Sequence, residues 1–174
     1  MINLLERYAQ LRLMVFDLDG VLTNGKVLLM GDDEWIREMD LKDGYAIQHA
    51  IKNGISIAVI TGSHSNPVAS RLKKLGVHLF FQNIKDKGVC LTEIMVDLGL
   101  KKSQVLFMGD DIPDLEAFAI AGIAACPADA VREIKQQSNF VSTKSGGNGC
   151  VREIIEKVML VQNTWLLNSK TQSI

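Results

Sequence analysis

Two carboxylates one residue apart, Asp17 and Asp19, are followed at once by Gly20. Further along come Thr61-Gly62, Lys87, and the run Gly109-Asp110-Asp111 with Asp114 just beyond it. Brought together, these residue types could move a phosphoryl group. Asp17 would be the nucleophile, forming an aspartyl phosphate. Asp19 would protonate the leaving alcohol and later activate the attacking water. Thr61, with backbone N–H groups near Gly62, would hydrogen-bond phosphate oxygens, while Lys87 neutralises the developing charge. Gly20 and Gly62 would let the backbone approach the phosphate closely. Several carboxylates in one crevice repel each other and raise each other's pKa. A hard divalent cation removes that conflict, and Mg²⁺ suits it, since it takes few protein oxygens and keeps waters and a phosphate.

For this chemistry the groups must converge, so the elements that carry them matter. Leu11 to Leu18, Ile55 to Ile60, Val77 to Phe81 and Val105 to Met108 are near-continuous apolar runs, with shorter ones at Ile123 to Ala125 and Phe140 to Val141. Such runs are what parallel strands covered on both faces require. Between them, helical patterns span Asp43 to Asn53, Asn66 to Leu75, Lys87 to Leu98, Pro113 to Ala121, Ala128 to Gln136 and Cys150 to Val161. Gly54, Gly76 and Gly99 stand where left-handed helix caps belong, and Pro67 and Pro113 stand in first turns. Strand–helix repetition predicts an α/β fold, a doubly wound parallel sheet with right-handed crossovers. In such a sheet the ligand crevice lies outside the carboxyl ends of the strands. The first strand ends in Asp17-Leu18-Asp19-Gly20, Thr61 and Asp110 lie at the ends of two others, and Lys85 and Lys87 follow a fourth. One crevice therefore receives them all.

One segment departs from the repetition. Val27 to Asp40 reads strand, Gly-Asp-Asp turn, strand: a β-hairpin inserted between the first strand and the first helix. Asn163 to Ile174 is polar and uncapped, which predicts a flexible C-terminal tail. No repeat or linker divides residues 1–174, so a single domain is expected. With 19 Lys+Arg against 20 Asp+Glu, the net charge of −1 offers no field to attract nucleic acid or anionic lipid. No apolar run approaches the ~20 residues of a membrane helix, and no signal-peptide pattern opens the chain. Three scattered cysteines, Cys90, Cys126 and Cys150, read as core filler and not as a disulfide framework. A cytoplasmic protein with no membrane or nucleic-acid partner is expected.

Phe16 to Thr23 (FDLDGVLT), Ile60-Thr61-Gly62, Lys87 opening a helix and Gly109 to Asp114 (GDDIPD) resemble, in order and spacing, the four motifs of the haloacid dehalogenase-like phosphatases. Lys42 to Tyr45 (KDGY), Gly146 to Glu153 (GGNGCVRE) and Gln172-Ser173-Ile174 resemble, more narrowly, the 3-deoxy-D-manno-octulosonate 8-phosphate phosphatases. The resemblance implies a Rossmann-like core with a small hairpin in place of a cap domain. It implies hydrolysis of a phosphorylated eight-carbon acidic sugar used in bacterial lipopolysaccharide synthesis. Asp17 becomes nucleophile and Asp19 acid/base; Asp17, the Asp19 backbone carbonyl and Asp110 become Mg²⁺ ligands, supported by Asp111 and Asp114. Thr61, Gly62 and Lys87 would bind the phosphate. It further implies a homotetramer in which hairpins pack together and tails reach neighbouring sites. Two positions depart from the family pattern: Ser63 and Asn148 stand where arginines are usual. Phosphorylated nine-carbon keto-deoxy acids are the competing substrates on that account.

Other readings of the same residues are open to test. A calcium loop counted from Asp17 would need Gly at position 22 and Glu at 28, and both are Leu. A receiver-type phospho-acceptor would carry its Asp on the third strand and has no use for an acid/base at position 19; a non-catalytic binding module would not need the full set. Gly146 to Gly149 reads as a backbone turn or as part of the substrate rim together with Ser63, His64 and Asn148. Lys85 reads as a solvated neighbour of Lys87. His49 and His78 read as structural, and Trp35 and Trp165 as interface anchors or core.

Overall fold

The computed structural model describes residues 3–30 and 35–165. A helix α1 (Leu4–Gln10) leads into β1 (Leu13–Phe16). The hairpin strands β2 (Leu28–Leu29) and β3 (Trp35–Ile36) follow, then α2 (Leu41–Lys52), β4 (Ser56–Ile60), α3 (Asn66–Lys74), β5 (Leu79–Phe81) and α4 (Lys87–Asp97). The second half runs β6 (Val105–Met108), α5 (Leu115–Ile120), β7 (Ile123–Cys126), α6 (Arg132–Gln137), β8 (Phe140–Val141) and α7 (Cys150–Val161).

Six strands form one parallel sheet in the order β5-β4-β1-β6-β7-β8. The chain winds outward from β1 through β4 to β5, then crosses back to β6 and winds the other way. The reversal falls between β1 and β6, where such sheets open their crevice. Along β1 the pleat sends Met14 and Phe16 to one face and Leu13 and Val15 to the other. All four are fully buried, which is why the run shows no polar alternation. One face is covered by α1, α2, α3 and α7, the other by α4, α5 and α6. Gly54, Gly76 and Gly99 adopt φ of 85°, 88° and 62°, as helix caps require.

Several elements differ from the sequence reading. The first strand is shorter than Leu11 to Leu18, because Leu18 to Leu22 form a kinked turn closed by the Thr23 N–H donating to the Leu18 carbonyl at 3.0 Å. The helix expected from Pro113 is divided: Ile112–Asp114 is a 3₁₀ turn capped by Asp111, and α5 starts at Leu115. The helix expected from Ala128 starts only at Arg132, since Asp129 lies in a turn and accepts the Gly146 N–H at 2.9 Å. The edge strand β5 is half-buried and His78 beside it is exposed, not structural. Helix α1 has no counterpart among the expected elements. The hairpin pairs Leu28 with Ile36 and Leu29 with Trp35; its 31–34 turn lies outside the described residues. Of the segment expected to form a tail, Trp165 packs on His49 and Tyr45 with ring centroids 5.0 and 6.4 Å away. The rest, 166–174, lies outside the described residues. All three cysteines are buried and free. Among the described residues, no helix is long and apolar enough to cross a membrane.

Candidate active site

Parallel pairing of β1 with β6 sets Phe16 opposite Met108, so the next residues of both strands leave the sheet side by side. The Asp17 N–H still donates to the Met108 carbonyl at 2.9 Å. Asp17, Asp110 and Asp114 then offer carboxylate oxygens that all lie within 4.8 Å of one another. Two glycines allow this crowding. A Cβ on Gly20, whose φ is 92°, would overlap the Asp110 carboxylate, and one on Gly109 would overlap that of Asp114.

Lys87, the first residue of α4, reaches in from the far side of the sheet edge. Its ammonium lies 2.8 Å from Asp17 Oδ1 and 2.6 Å from Asp114 Oδ1. The other Asp114 oxygen accepts the backbone N–H groups of Asp110 and Asp111 at 2.9 and 3.3 Å. Asp114 therefore brackets the loop and the lysine, with both oxygens engaged. Asp111 is exposed and caps the 3₁₀ turn through the Ile112 N–H at 2.8 Å. Lys85 is exposed, as a solvated neighbour should be.

Burial pushes the Asp17 carboxyl up to about 7, Asp114 adds to the shift, and Lys87 opposes it. Burial also pushes Asp110 up to about 8, with Asp17, Asp114 and Asp111 adding to it. For Lys87 burial works against the charge, but Asp17 and Asp114 outweigh it and hold its pKa above the ordinary value. Asp110 Oδ1 is buried with no hydrogen-bond partner. An orphaned carboxylate oxygen, facing two more carboxylates and, among the described residues, one ammonium, fits a hard divalent cation with oxygen ligands.

Thr61 follows β4 and is buried. Its hydroxyl accepts the Ser63 N–H at 3.1 Å and lies 3.0 Å from the Ser63 hydroxyl. Ser63 in turn donates to Asp19 Oδ2 at 3.1 Å. The sequence reading missed what grips Asp19 most firmly. Arg37, just past β3 on the hairpin, donates from Nε to Asp19 Oδ1 at 2.7 Å and from Nη2 to Oδ2 at 3.1 Å. Its only sequence signal was its place in the hairpin. Between hairpin and sheet lies a cleft of about 430 Å³, lined by Trp35, Arg37, Ser63 and His64 among others. Asn148 lies elsewhere: it is exposed, its side chain donates to the Gly146 carbonyl at 2.9 Å, and it lines a separate cleft with Lys42 and Arg152. Gly146 and Gly147 pack against the backbone of residues 20–24, where any Cβ would collide. Gly62 is exposed beside Thr61.

A doubly wound sheet with a carboxylate cluster, a lysine and a threonine at its carboxyl edge defines a class, the haloacid dehalogenase-like hydrolases. A family model of that description matches residues 41–122. The 3-deoxy-D-manno-octulosonate 8-phosphate phosphatase KdsC of Yersinia pestis is 30% identical over 161 residues, 92% of this chain and 86% of the relative. A crystal structure of the Y. pestis phosphatase superimposes with a TM-score of 0.92, covering 98% of this chain and 91% of that one at 30% identity. The Moraxella catarrhalis phosphatase, crystallised with magnesium ion, phosphate ion and KDO, gives 0.89 at 31% identity and covers 92% of each chain. The chain belongs to the 3-deoxy-D-manno-octulosonate 8-phosphate phosphatase family and is a phosphoric monoester hydrolase.

Proposed function

We propose that the chain hydrolyses 3-deoxy-D-manno-octulosonate 8-phosphate, releasing phosphate and the free sugar acid for lipopolysaccharide synthesis, through an aspartyl-phosphate intermediate. The observation that carries the chemistry is the placement of Asp17 between Lys87 and the orphaned Asp110 oxygen. Two relatives named for this substrate, matching over nearly the whole chain, support its identity.

Lys87 holds Asp17 Oδ1 and so fixes the rotation of the nucleophile. Asp17 attacks phosphorus; the P–O bond to the sugar breaks, and the leaving oxygen takes the proton of the Asp19 carboxyl. Asp19, now a carboxylate, then accepts a proton from the water that attacks the aspartyl phosphate, releasing phosphate and restoring Asp17. Each proton transfer is worth about 10²–10⁴ in rate. Thr61 and the backbone at Gly62 hold the phosphate oxygens. Mg²⁺, held by Asp17, the Asp19 carbonyl and Asp110 with Asp111 and Asp114 in support, would supply positive charge to the transferring phosphoryl group.

Residues 1–174 act as one catalytic domain whose hairpin replaces a cap. A homotetramer built on that hairpin is supported by the exposure of Leu28, Leu29, Met30, Trp35 and Ile36. Free buried cysteines support a cytoplasmic setting. The test is a phosphate-release assay in Mg²⁺ with the octulosonate 8-phosphate, a nonulosonate 9-phosphate and glucose 6-phosphate. The highest kcat/KM is expected on the first. A higher value on the nine-carbon substrate would move the assignment to that sugar acid.

A further inference from the structure

Arg37 turns its side chain inward where its two strand neighbours turn theirs out. Trp35 and Ile36 beside it are 52% and 44% exposed, whereas only 2% of the Arg37 side chain meets solvent. Its whole length is spent crossing from the hairpin to Asp19. There it meets the carboxylate as a fork, Nε to Oδ1 at 2.7 Å and Nη2 to Oδ2 at 3.1 Å. The remaining acceptor positions are also taken. Oδ1 receives the Thr23 hydroxyl at 3.3 Å and Oδ2 the Ser63 hydroxyl at 3.1 Å. Two donors on each oxygen fill the ionised carboxylate. When Asp19 carries its proton the Ser63 hydroxyl, which can accept as well as donate, turns to receive it, while the guanidinium, which only donates, keeps its hold. The Thr23 and Ser63 hydroxyls each hold one oxygen and can turn, whereas the guanidinium is one rigid group bonded to both and does most to resist rotation about the terminal bond. The Trp35 ring, 5.6 Å from the guanidinium carbon, steadies the arginine from its other side.

We propose that Arg37 is the positioning residue for Asp19, and that through it the hairpin sets the aim of the acid/base. The inference rests on the assignment of Asp19 given under the proposed function. It acts on one step in particular. Poor leaving groups need a well-aimed proton as the P–O bond breaks; good ones depart without it. Losing the fork should therefore hurt hydrolysis in proportion to how poor the leaving group is.

The experiment compares kcat/KM for phenyl phosphate and p-nitrophenyl phosphate, neither of which carries a carboxylate that Arg37 could bind directly. Because kcat/KM reports events up to the first phosphoryl transfer, breakdown of the phosphoenzyme does not enter. Arg37→Ala should lower the value for phenyl phosphate by about tenfold or more beyond its effect on p-nitrophenyl phosphate. Arg37→Lys keeps the charge but not the fork, and should fall between wild type and Arg37→Ala. Added methylguanidine should restore part of the phenyl phosphate activity of Arg37→Ala. Equal losses on both substrates in both variants, without rescue, would make Arg37 merely structural and overturn the proposal. A gain in kcat/KM on removing Arg37 would also overturn it, by making the fork a restraint on Asp19. If the wild-type protein releases phosphate in Mg²⁺ neither from the octulosonate 8-phosphate nor from these esters, the proposed function fails first. If it hydrolyses both and the variants show no dependence on leaving group, the Arg37 inference fails by itself.

Discussion

Lys87 meets Asp114 at 2.6 Å in a pocket where their side chains are 8% and 1% exposed. The same ammonium reaches Asp17, so one cation serves two buried carboxylates. Removing one partner from a buried ion pair costs about 3–5 kcal/mol, because the charge left behind has neither water nor a counter-charge. Lys87→Met should lose at least about 10² in kcat, on the scale of deleting an electrostatic stabiliser of the transition state. Its Tm should fall too, and further at about pH 8 than at about pH 5, because acid can neutralise the abandoned carboxylates. A thermal melt at the two pH values checks this; equal losses would mean that Lys87 does not balance the pair.

Asp17→Asn keeps the size of the side chain and removes the proposed nucleophile. Phosphate release should vanish while the melting curve stays within a few degrees of wild type, since the buried carboxyl is already disfavoured as an anion. Mg²⁺-dependent turnover by this variant would refute the assignment.

The carboxylate cluster makes the stability of the metal-free protein depend on pH in an unusual direction. Asp17 and Asp110 are raised from 3.8 to about 7 and about 8, burial being the main cause in both. A carboxyl raised on folding binds its proton more tightly in the folded state. Its contribution is therefore fully present below 3.8 and is lost as pH climbs through the folded value. With chelator present, Tm should decline between about pH 4 and pH 8. Adding Mg²⁺ should flatten that decline at the upper end, since a ligand bound only by the folded state stabilises it. A Tm that rises across this window in chelator would show that the cluster is not strained.

Gly20 tests the backbone side of the same cluster. Alanine there would carry a Cβ into the Asp110 carboxylate and would also have to hold a φ of 92°. Gly20→Ala should cost about 1–3 kcal/mol from backbone strain and displace Asp110. Mg²⁺ should then no longer raise the Tm of the variant, and activity should be lost. Retained metal stabilisation would show that the loop relaxes around the methyl group.

The catalytic edge was legible because each polar group follows an uninterrupted apolar run. Buried parallel strands end within a residue or two of their apolar runs, so Asp17, Thr61 and Asp110 could be placed on one edge from spacing, although β1 itself stops at Phe16 and not at Leu18. Helix α7 was found to its residue bounds because its apolar side recurs at helical spacing and Gly149 precedes it. Other features escaped. Helix α1 buries only Tyr8, too little to show periodicity. The Asp111 and Asp114 carboxylates close a 3₁₀ turn, a local bond pattern that overrides the helical run from Pro113. Arg37 escaped because its partner lies eighteen residues away across a hairpin. Nothing in the type or spacing of a lone surface-strand arginine marks which carboxylate it will clasp.

Trp165 packs the start of the C-terminal segment onto α2 and α7. Its ring meets His49 and Tyr45 edge-on, and the Arg152 guanidinium carbon lies 5.5 Å from its centroid. The backbone agrees: Thr164 and Trp165 N–H groups both donate to the Met159 carbonyl, at 2.8 and 3.2 Å. A chain ending at Asn163 loses these bonds and this half-buried ring, a cost of about 1–3 kcal/mol given that fully buried aromatics cost 3–5. For a chain of this size that is about 2–4 °C in Tm for each kcal/mol. A chain ending at Trp165 keeps all of it and should melt with the full-length protein. The pair of truncations thus separates stability from kinetics. If residues beyond Trp165 cover a neighbour's site, the longer truncate will change kcat or KM at unchanged Tm. If both parameters match full length while only the shorter truncate is destabilised, the segment serves packing alone and the cleft beneath the hairpin is closed by other means.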